Sequence, residues 1–568
     1  MTAARRDEPG RDGRGDAPPD MFGNAVDAAG NVEDVGHVSL RGALGATIRV
    51  ATQGRAVAEK GVGLAVEAVR IGVGRSAVAP APNDWRFKHP AWSENPVYRR
   101  VAQLYLAGAG AATDLVEEFR TKDWRTAEQA RFAVGIATSA VAPTNFLPGN
   151  PAALERAFET GGATLVRGAR NLVHDVRHNR GMPSQVDTTP FTVGGNLAAT
   201  PGAVVFRNEL CEVIAYTPTT AAVRERPVLT VPPPIGKYYF LDLAPGKSMF
   251  EYAVSRGIQV FTISWRNPRP DQGDWNFDTY GGAMLEALDV ARDVSGSPDV
   301  NLLGFCAGGI MLSTVLSHLA AQGDERVHSA SFGVMLLDFD IPAMVGAFSP
   351  KLLLRTARAG SARKGVLPAK DLAAVFAWMR PNDLVWNYWV NNYLLGQKPP
   401  ANDIMAWNVD GTNLPAALHA QFLDIFGTNG LSEPERLAVL GTPVDLRRIT
   451  YDTYVMGALN DHLTPWRGCY RATQLIGGRS TFVLSNAGHI AGLVNPPTNP
   501  KAKFFAGPEP GPDPDAWLAE ATERRGSWWE HWADWMIERS GEERPAPRKA
   551  GSRRHPALGP APGAYVCG

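Results

Sequence analysis

A chain of 568 residues with 44% hydrophobic content can bury at least one large core and has room for two or three structural units. Its 57 basic and 57 acidic residues cancel, which removes the long-range field that gathers nucleic acid or an anionic membrane, so no nucleic-acid partner is expected. No basic start leads into an apolar signal core and no run of eighteen apolar residues occurs, so export and membrane spanning are not expected and a cytoplasmic protein is.

Residues 1–35 are rich in Gly, Asp, Arg and Pro with few large apolar side chains; they cannot repay the entropy of ordering and read as disordered. From about residue 36 to 200 the periodicity is helical: Val97, Val101 and Leu104, then Leu154 and Phe158, fall at i, i+3, i+4 spacing. Thr126 with Gln129 reads as a capping box, and Asn150 before Pro151 as an N-cap with proline at the first helical position. From residue 201 the rhythm changes to short apolar runs separated by helices: AVVF at 203, VLTV at 228, QVFTISW at 259, VNLLG at 300 and ASFGVMLL at 330. Strands alternating with helices predict βαβ units and a mostly parallel sheet. Two further strands, TYDTYVMGAL at 450 and TFVLS at 481, follow a helical, aromatic stretch of roughly a hundred residues, too long for a loop. It reads as a cap at about 340–445, inserted over the carboxyl ends of the strands, where open α/β sheets keep their sites. The fold class is thus α/β: a catalytic domain over 201–568 with an inserted cap, preceded by a helical domain and ending in a flexible tail from about residue 541.

Four cysteines, Cys211, Cys306, Cys469 and Cys567, form no C-x-x-C pair and have no histidine at zinc spacing, so neither a disulfide framework nor a metal is expected. One of them stands apart. Gly304-Phe305-Cys306-Ala307-Gly308-Gly309 follows the apolar VNLL and precedes the helix-like IMLSTVLSHLA, the layout of a nucleophile elbow. With 4 Cys and 58 Gly, chance supplies only about 0.04 occurrences of G-x-C-x-G before strand and helix are required. Cys469 lacks elbow glycines and reads as a buried small residue, as does Cys211, while Cys567 falls in the tail.

This elbow fold orders nucleophile, acid, histidine along the chain. Asp461 closes the strand at 450 and His489 follows the strand at 481, which makes Cys306, Asp461 and His489 the candidate triad. His462 competes for the base role, but its adjacency to the acid reads better as shaping the Asp461 loop. Sulfur suits acyl transfer from a thioester, because exchanging one thioester for another keeps the bond energy for the next step. The oxyanion needs two N–H donors, and the candidates are the amides of Ala307 and Ile235, the latter being the first donor after Pro232-Pro233-Pro234.

With these motifs the chain resembles the polyhydroxyalkanoate synthases, whose box is G-x-C-x-G-G. The similar stretches include Asp461-His462-Leu463-Thr464-Pro465-Trp466, Gly488-His489-Ile490-Ala491-Gly492, VPPPIGKYYFLDLAPGKS at 231, ISWRNP at 263 and FAWMRPNDLVWNYWVNNYLLG at 376, and the likeness runs from about Trp92 to Val566. It implies an α/β-hydrolase fold with a cap, no cofactor beyond the coenzyme A of the substrate, and polymerisation of (R)-3-hydroxyacyl-CoA. It also implies a homodimer at the surface of polyester granules, among granule-associated proteins. By the same resemblance Cys306 carries the growing chain, His489 activates it, and Asp461 assists attack by the next 3-hydroxyl. Gly181-Met182-Pro183-Ser184-Gln185 looks closest to medium-chain enzymes, whereas Ala491 looks more like short-chain ones, so the acyl length stays open.

Trp528, Trp532 and Trp535, after an N-cap at Ser527 with Glu530 at N3, fall on one helix face and read as docking on the core, the alternative being contact with polymer. The cap aromatics Trp378, Trp386, Tyr388, Trp389 and Tyr393 read as internal packing before a substrate path. Two rivals to synthesis stand: a thioesterase or polyester depolymerase using the same triad with water, and a granule coat protein with a retired site, which a complete Cys, Asp, His set disfavours.

Overall fold

A computed structural model describes residues 54–120, 124–342 and 351–568; the N-terminal stretch read as disordered lies outside them. Beside the single turn Ala91–Glu94, five longer helices lead the described chain: α1 (Gly54–Gly72), α2 (Pro96–Arg120), α3 (Trp124–Ala140), α4 (Pro151–Glu159) and α5 (Ala163–His178). Asn150 caps α4 through its side chain, which accepts from the Ala153 amide at 3.0 Å, with Pro151 in the first turn. Thr126 lies inside α3 instead of at its cap, because the helix already includes Trp124. The stripe Val97, Val101 and Leu104 faces outward; α2 buries Ala102 and packs Tyr105 and Leu106 against Phe87 and Trp92. Periodicity located the helix but not its inward face, because alanine and aromatics decide which side packs.

The sheet has eleven strands: β1 (Gly202–Arg207), β2 (Cys211–Tyr216), β3 (Val228–Val231), β4 (Val260–Trp265), β5 (Val300–Phe305), β6 (Val327–Gly333), β7 (Asp452–Ala458), β8 (Ser480–Ser485), β9 (Lys503–Ala506), β10 (Thr522–Arg525) and β11 (Gly559–Pro560). Their spatial order is β10-β9-β8-β7-β6-β5-β3-β4-β2-β1-β11. From β4 through β3, β5, β6 and β7 to β8 every pairing is parallel, whereas β1, β2, β9, β10 and β11 pair antiparallel at the two flanks. Parallel pairing forces crossovers, and the crossover helices α6 (Phe277–Ser295) and α7 (Cys306–Ala321) cover one face. β5 is buried along its whole length and on both sides: Leu302 enters the core on one face, Leu303 and Phe305 the core on the other.

Between β6 and β7 the chain leaves the sheet to build the cap, including α8 (Lys351–Lys364), α9 (Ala369–Met379) and α10 (Ala416–Thr428). Its aromatics form an edge-to-face run, Trp378 to Trp386 to Trp389 to Tyr393. The run binds the cap to the N-terminal helices: Trp389 donates to the Asn145 carbonyl at 3.1 Å, Tyr393 donates to Asp175 at 2.7 Å, and a Cβ on Gly168 of α5 would collide with the Tyr393 carbonyl.

Beyond β8 come the short helix α11 (His489–Leu493) and α12 (Trp528–Glu538), whose capping box is formed by Ser527 and Glu530. Trp528, Trp529 and Trp532 are fully buried against the sheet face opposite α7; truncating any one to alanine costs roughly 3 to 5 kcal/mol. The tail departs from its expectation of flexibility. Residues 543–545 pair with 222–224, β11 extends the sheet beside β1, and Val566 is buried. Among the described residues, no helix is long and apolar enough to cross a membrane.

Candidate active site

Cys306 is the first residue of α7, one step beyond β5, with φ of +47°, a left-handed conformation that costs a non-glycine residue about 1–3 kcal/mol. The surrounding glycines are steric necessities. A Cβ on Gly308 would stand 2.4 Å from the Val231 carbonyl oxygen, and one on Gly304 would stand 2.9 Å from the Gly309 Cα. The turn therefore closes only with glycine at both places, and it lifts the thiol to the carboxyl edge of the sheet, half-buried. Being at the start of a helix, the Ala307 amide has no acceptor within it.

The loops after β7 and β8 bring the other candidates to the same edge. Asp461 and His489 are both buried, and the His489 Nδ1–H donates to Asp461 Oδ2 at 2.6 Å. The amides of Leu463 and Thr464 donate to Asp461 Oδ1 at 2.8 and 2.9 Å, and the Thr464 hydroxyl donates to Oδ2 at 2.5 Å. Burial alone would raise this carboxyl; the imidazolium of His489 and the Thr464 donors overcome it and hold the group below the usual carboxylate range. Burial likewise would push His489 down, yet the Asp461 carboxylate, with the Cys306 thiol as a second hydrogen-bonding partner, holds it well above an ordinary histidine. With Nδ1 committed to Asp461, Nε2 is the nitrogen left for sulfur.

His462 does not share this network: burial, with Arg380 nearby, pushes it down to about 4, and its Nε2 is buried without a partner. Cys469 is fully buried beneath the site, its thiol donating to the Thr464 carbonyl at 3.3 Å, and burial drives its pKa far up, as it does for Cys211. Neither can be a thiolate near neutral pH.

Cys306 opens into a cavity beneath the cap, lined by Ile235 and Ala307, by Ile310, Met335, Leu336, Phe339 and Leu463 of the core, and by Phe376, Leu414, His419, Phe422 and Phe426 of the cap. Both candidate oxyanion residues therefore border the space in front of the sulfur. Among the described residues, no group of three or more His, Cys, Asp or Glu is arranged to hold a metal ion.

Comparison with known proteins places this geometry in a lineage. Residues 83–253 match the family described as Poly-beta-hydroxybutyrate polymerase (PhaC) N-terminus, and residues 244–496 match the alpha/beta hydrolase fold. The chain is 46% identical over 498 residues to Poly(3-hydroxyalkanoate) polymerase 2 of Ectopseudomonas oleovorans, spanning 88% of this chain and 89% of that one. To the Poly(3-hydroxyalkanoate) polymerase subunit PhaC of Cupriavidus necator it is 41% identical over 500 residues, spanning 87% and 84%. The chain belongs to the poly(3-hydroxyalkanoate) polymerase family. As a member it is an acyl-transferring enzyme with an α/β-hydrolase fold.

Three features of this polymerase-family site escaped sequence reasoning. Thr464, which also lies 3.1 Å from His489 Nδ1, braces acid and histidine together. The indoles of Trp528 and Trp529 donate to the carbonyls of Gly492 and Leu493 at 2.6 and 2.9 Å, so the tryptophans of α12 anchor the short helix that starts at His489. His419 enters the cavity from the cap; its only signal was a polar residue at i, with Phe422 and Phe426 at i+3 and i+7, on an otherwise apolar helix face.

Proposed function

We propose that the chain polymerises (R)-3-hydroxyacyl-CoA into polyester through an acyl-cysteine at Cys306. The observation that supports it most is a cysteine held in a strained elbow that faces an apolar cavity, with a buried histidine that a carboxylate grips at 2.6 Å brought to the same sheet edge. His489 takes the thiol proton and the thiolate attacks the thioester carbonyl. The oxyanion is met by the amides of Ala307 and Ile235. The tetrahedral intermediate collapses, breaking the bond to coenzyme A, whose sulfur leaves with the proton from His489. The 3-hydroxyl of another unit then gives its proton to His489 and attacks the acyl-cysteine; an ester forms, the C–S bond breaks, and the Cys306 sulfur recovers the proton. Asp461 stabilises the imidazolium in both halves.

Hydrolysis would need only water in place of the hydroxyl. The walls contributed by Ile310, Met335, Leu336, Phe339 and Phe376 favour an acyl chain over water, which supports transfer. By family likeness the enzyme works as a homodimer at the granule surface. Purified protein given 3-hydroxybutyryl-CoA or 3-hydroxyoctanoyl-CoA, followed for free thiol and product size, tests the proposal. Thiol release with insoluble polyester is the expected outcome, and the preferred substrate reports acyl length. Thiol release with free hydroxy acid would make the chain a thioesterase, and no release would make it a coat protein.

A further inference from the structure

Among the side chains that line the cavity in front of Cys306, one has a nitrogen with nothing to bind. His419, on α10, is 1% exposed; its Nδ1 lies 2.9 Å from the Ser361 hydroxyl on α8, while its Nε2 is buried without a partner. The ring shares its helix face with Phe422 and Phe426, and all three border the cavity. Thr464 is there too, but its hydroxyl is already committed to Asp461. A bare nitrogen in an apolar wall is costly, and a leucine of similar volume would fill the place more stably. An unpaired polar atom on a side chain that borders a ligand cavity is accounted for if the ligand supplies the partner.

The chemistry of the ring narrows what that partner is. Burial, with Arg358 nearby, keeps His419 neutral at ordinary pH, its pKa pushed down to about 4. A neutral imidazole has one N–H and one lone pair, and Ser361 can satisfy Nδ1 as donor or as acceptor. Nε2 therefore presents the opposite character in each tautomer. A hydroxyl, both donor and acceptor, satisfies it in either. A carbonyl satisfies only the N–H form, and a saturated acyl chain satisfies neither.

From this we infer that His419 is a specificity residue whose Nε2 recognises the 3-hydroxyl of the acyl group entering the cavity at Cys306. The inference rests on the polymerase reading above. It assigns to the cap the selection of hydroxyacyl over plain acyl thioesters, a step separate from the proton transfers at His489.

The test compares CoA release in the first turnover from 3-hydroxybutyryl-CoA and from butyryl-CoA, for wild type, His419→Leu and His419→Gln, with the Tm of each. The wild type should prefer the hydroxyacyl donor by about tenfold or more. His419→Leu should bring the two rates together without lowering Tm, and His419→Gln, which keeps a hydrogen-bonding group, should retain part of the preference. An unchanged ratio in His419→Leu would overturn the inference. So would equal slowing of both donors with a lowered Tm, the behaviour of a merely structural histidine. Were His419→Leu to misfold, an unaltered ratio together with a lowered Tm in His419→Gln would overturn it. Wild type that releases no CoA from either thioester would instead remove the polymerase reading itself, and this inference with it.

Discussion

The Thr464 hydroxyl sits 2.5 Å from Oδ2 of Asp461, the same oxygen that grips His489. A carboxylate oxygen serving two donors fixes the imidazole plane as well as its charge, so Thr464 acts as a positioning residue. Thr464→Val keeps the shape and removes the donor. We expect kcat for CoA release to fall about tenfold with KM little changed, and stability to drop by about 1–2 kcal/mol. Steady-state kinetics with urea unfolding check this; an unchanged kcat would remove Thr464 from the working site.

Asp461→Asn removes the charge that overrides burial at His489. Without it, burial dominates and the imidazolium becomes less stable, so His489 gives up its proton at lower pH. The pH at which the His489 ring deprotonates, followed by NMR, should move downward, and turnover should fall by about a hundredfold or more. A ring that titrates unchanged or at higher pH would mean that Asp461 does not govern His489.

Two other histidines make the fold acid-sensitive. Burial pushes both His419 and His462 from 6.5 to about 4. As pH falls through 6.5 the unfolded chain binds protons that the folded chain refuses until about pH 4, so stability is full above 6.5 and declines between the two values. For His419 the loss reaches roughly 3 kcal/mol by pH 4; His462, partly exposed, contributes less. Urea unfolding at pH 7 and pH 4.5 should show that decline, and His419→Leu should remove its share. Identical pH dependence in wild type and variant would contradict the assignment.

How much of this was readable in advance follows the range of the interactions. The Cys306 elbow is a local steric problem with one residue-level solution, so five consecutive positions revealed it. Asp461 and His489 could be named as candidates because strand order places them. Thr464 carries no mark: a threonine three residues after an acid is common, and its role exists only once the β7 and β8 loops meet. His419 needs the cap folded over Cys306 before its ring has a cavity to face. The pairing of the tail was missed for the same reason, since its composition is that of a disordered segment and its long-range partners in side-chain hydrogen bonds lie 249 to 357 residues away.

Those partners make the tail testable. Lys237 Nζ donates to the carbonyls of Val566 and Gly568 at 2.7 and 2.6 Å, and the amides of Ala564 and Tyr565 donate to the buried Glu212 carboxylate at 2.9 and 3.0 Å. Truncation after Ser540 strips both charges of these partners and bares the edge of β1. A loss of about 3 kcal/mol or more is expected, read as a lowered Tm and faster proteolysis. A truncated protein as stable as the full chain would show that the tail contributes nothing.

On the mechanism proposed above, the acyl group rides on one sulfur. Brief incubation with 3-hydroxybutyryl-CoA, acid quench and peptide mass spectrometry should place a 3-hydroxybutyryl adduct, or short oligomers of it, on the peptide carrying Cys306, and Cys306→Ala should neither label nor release CoA. CoA release with that peptide unmodified, or retained by Cys306→Ala, would contradict the account.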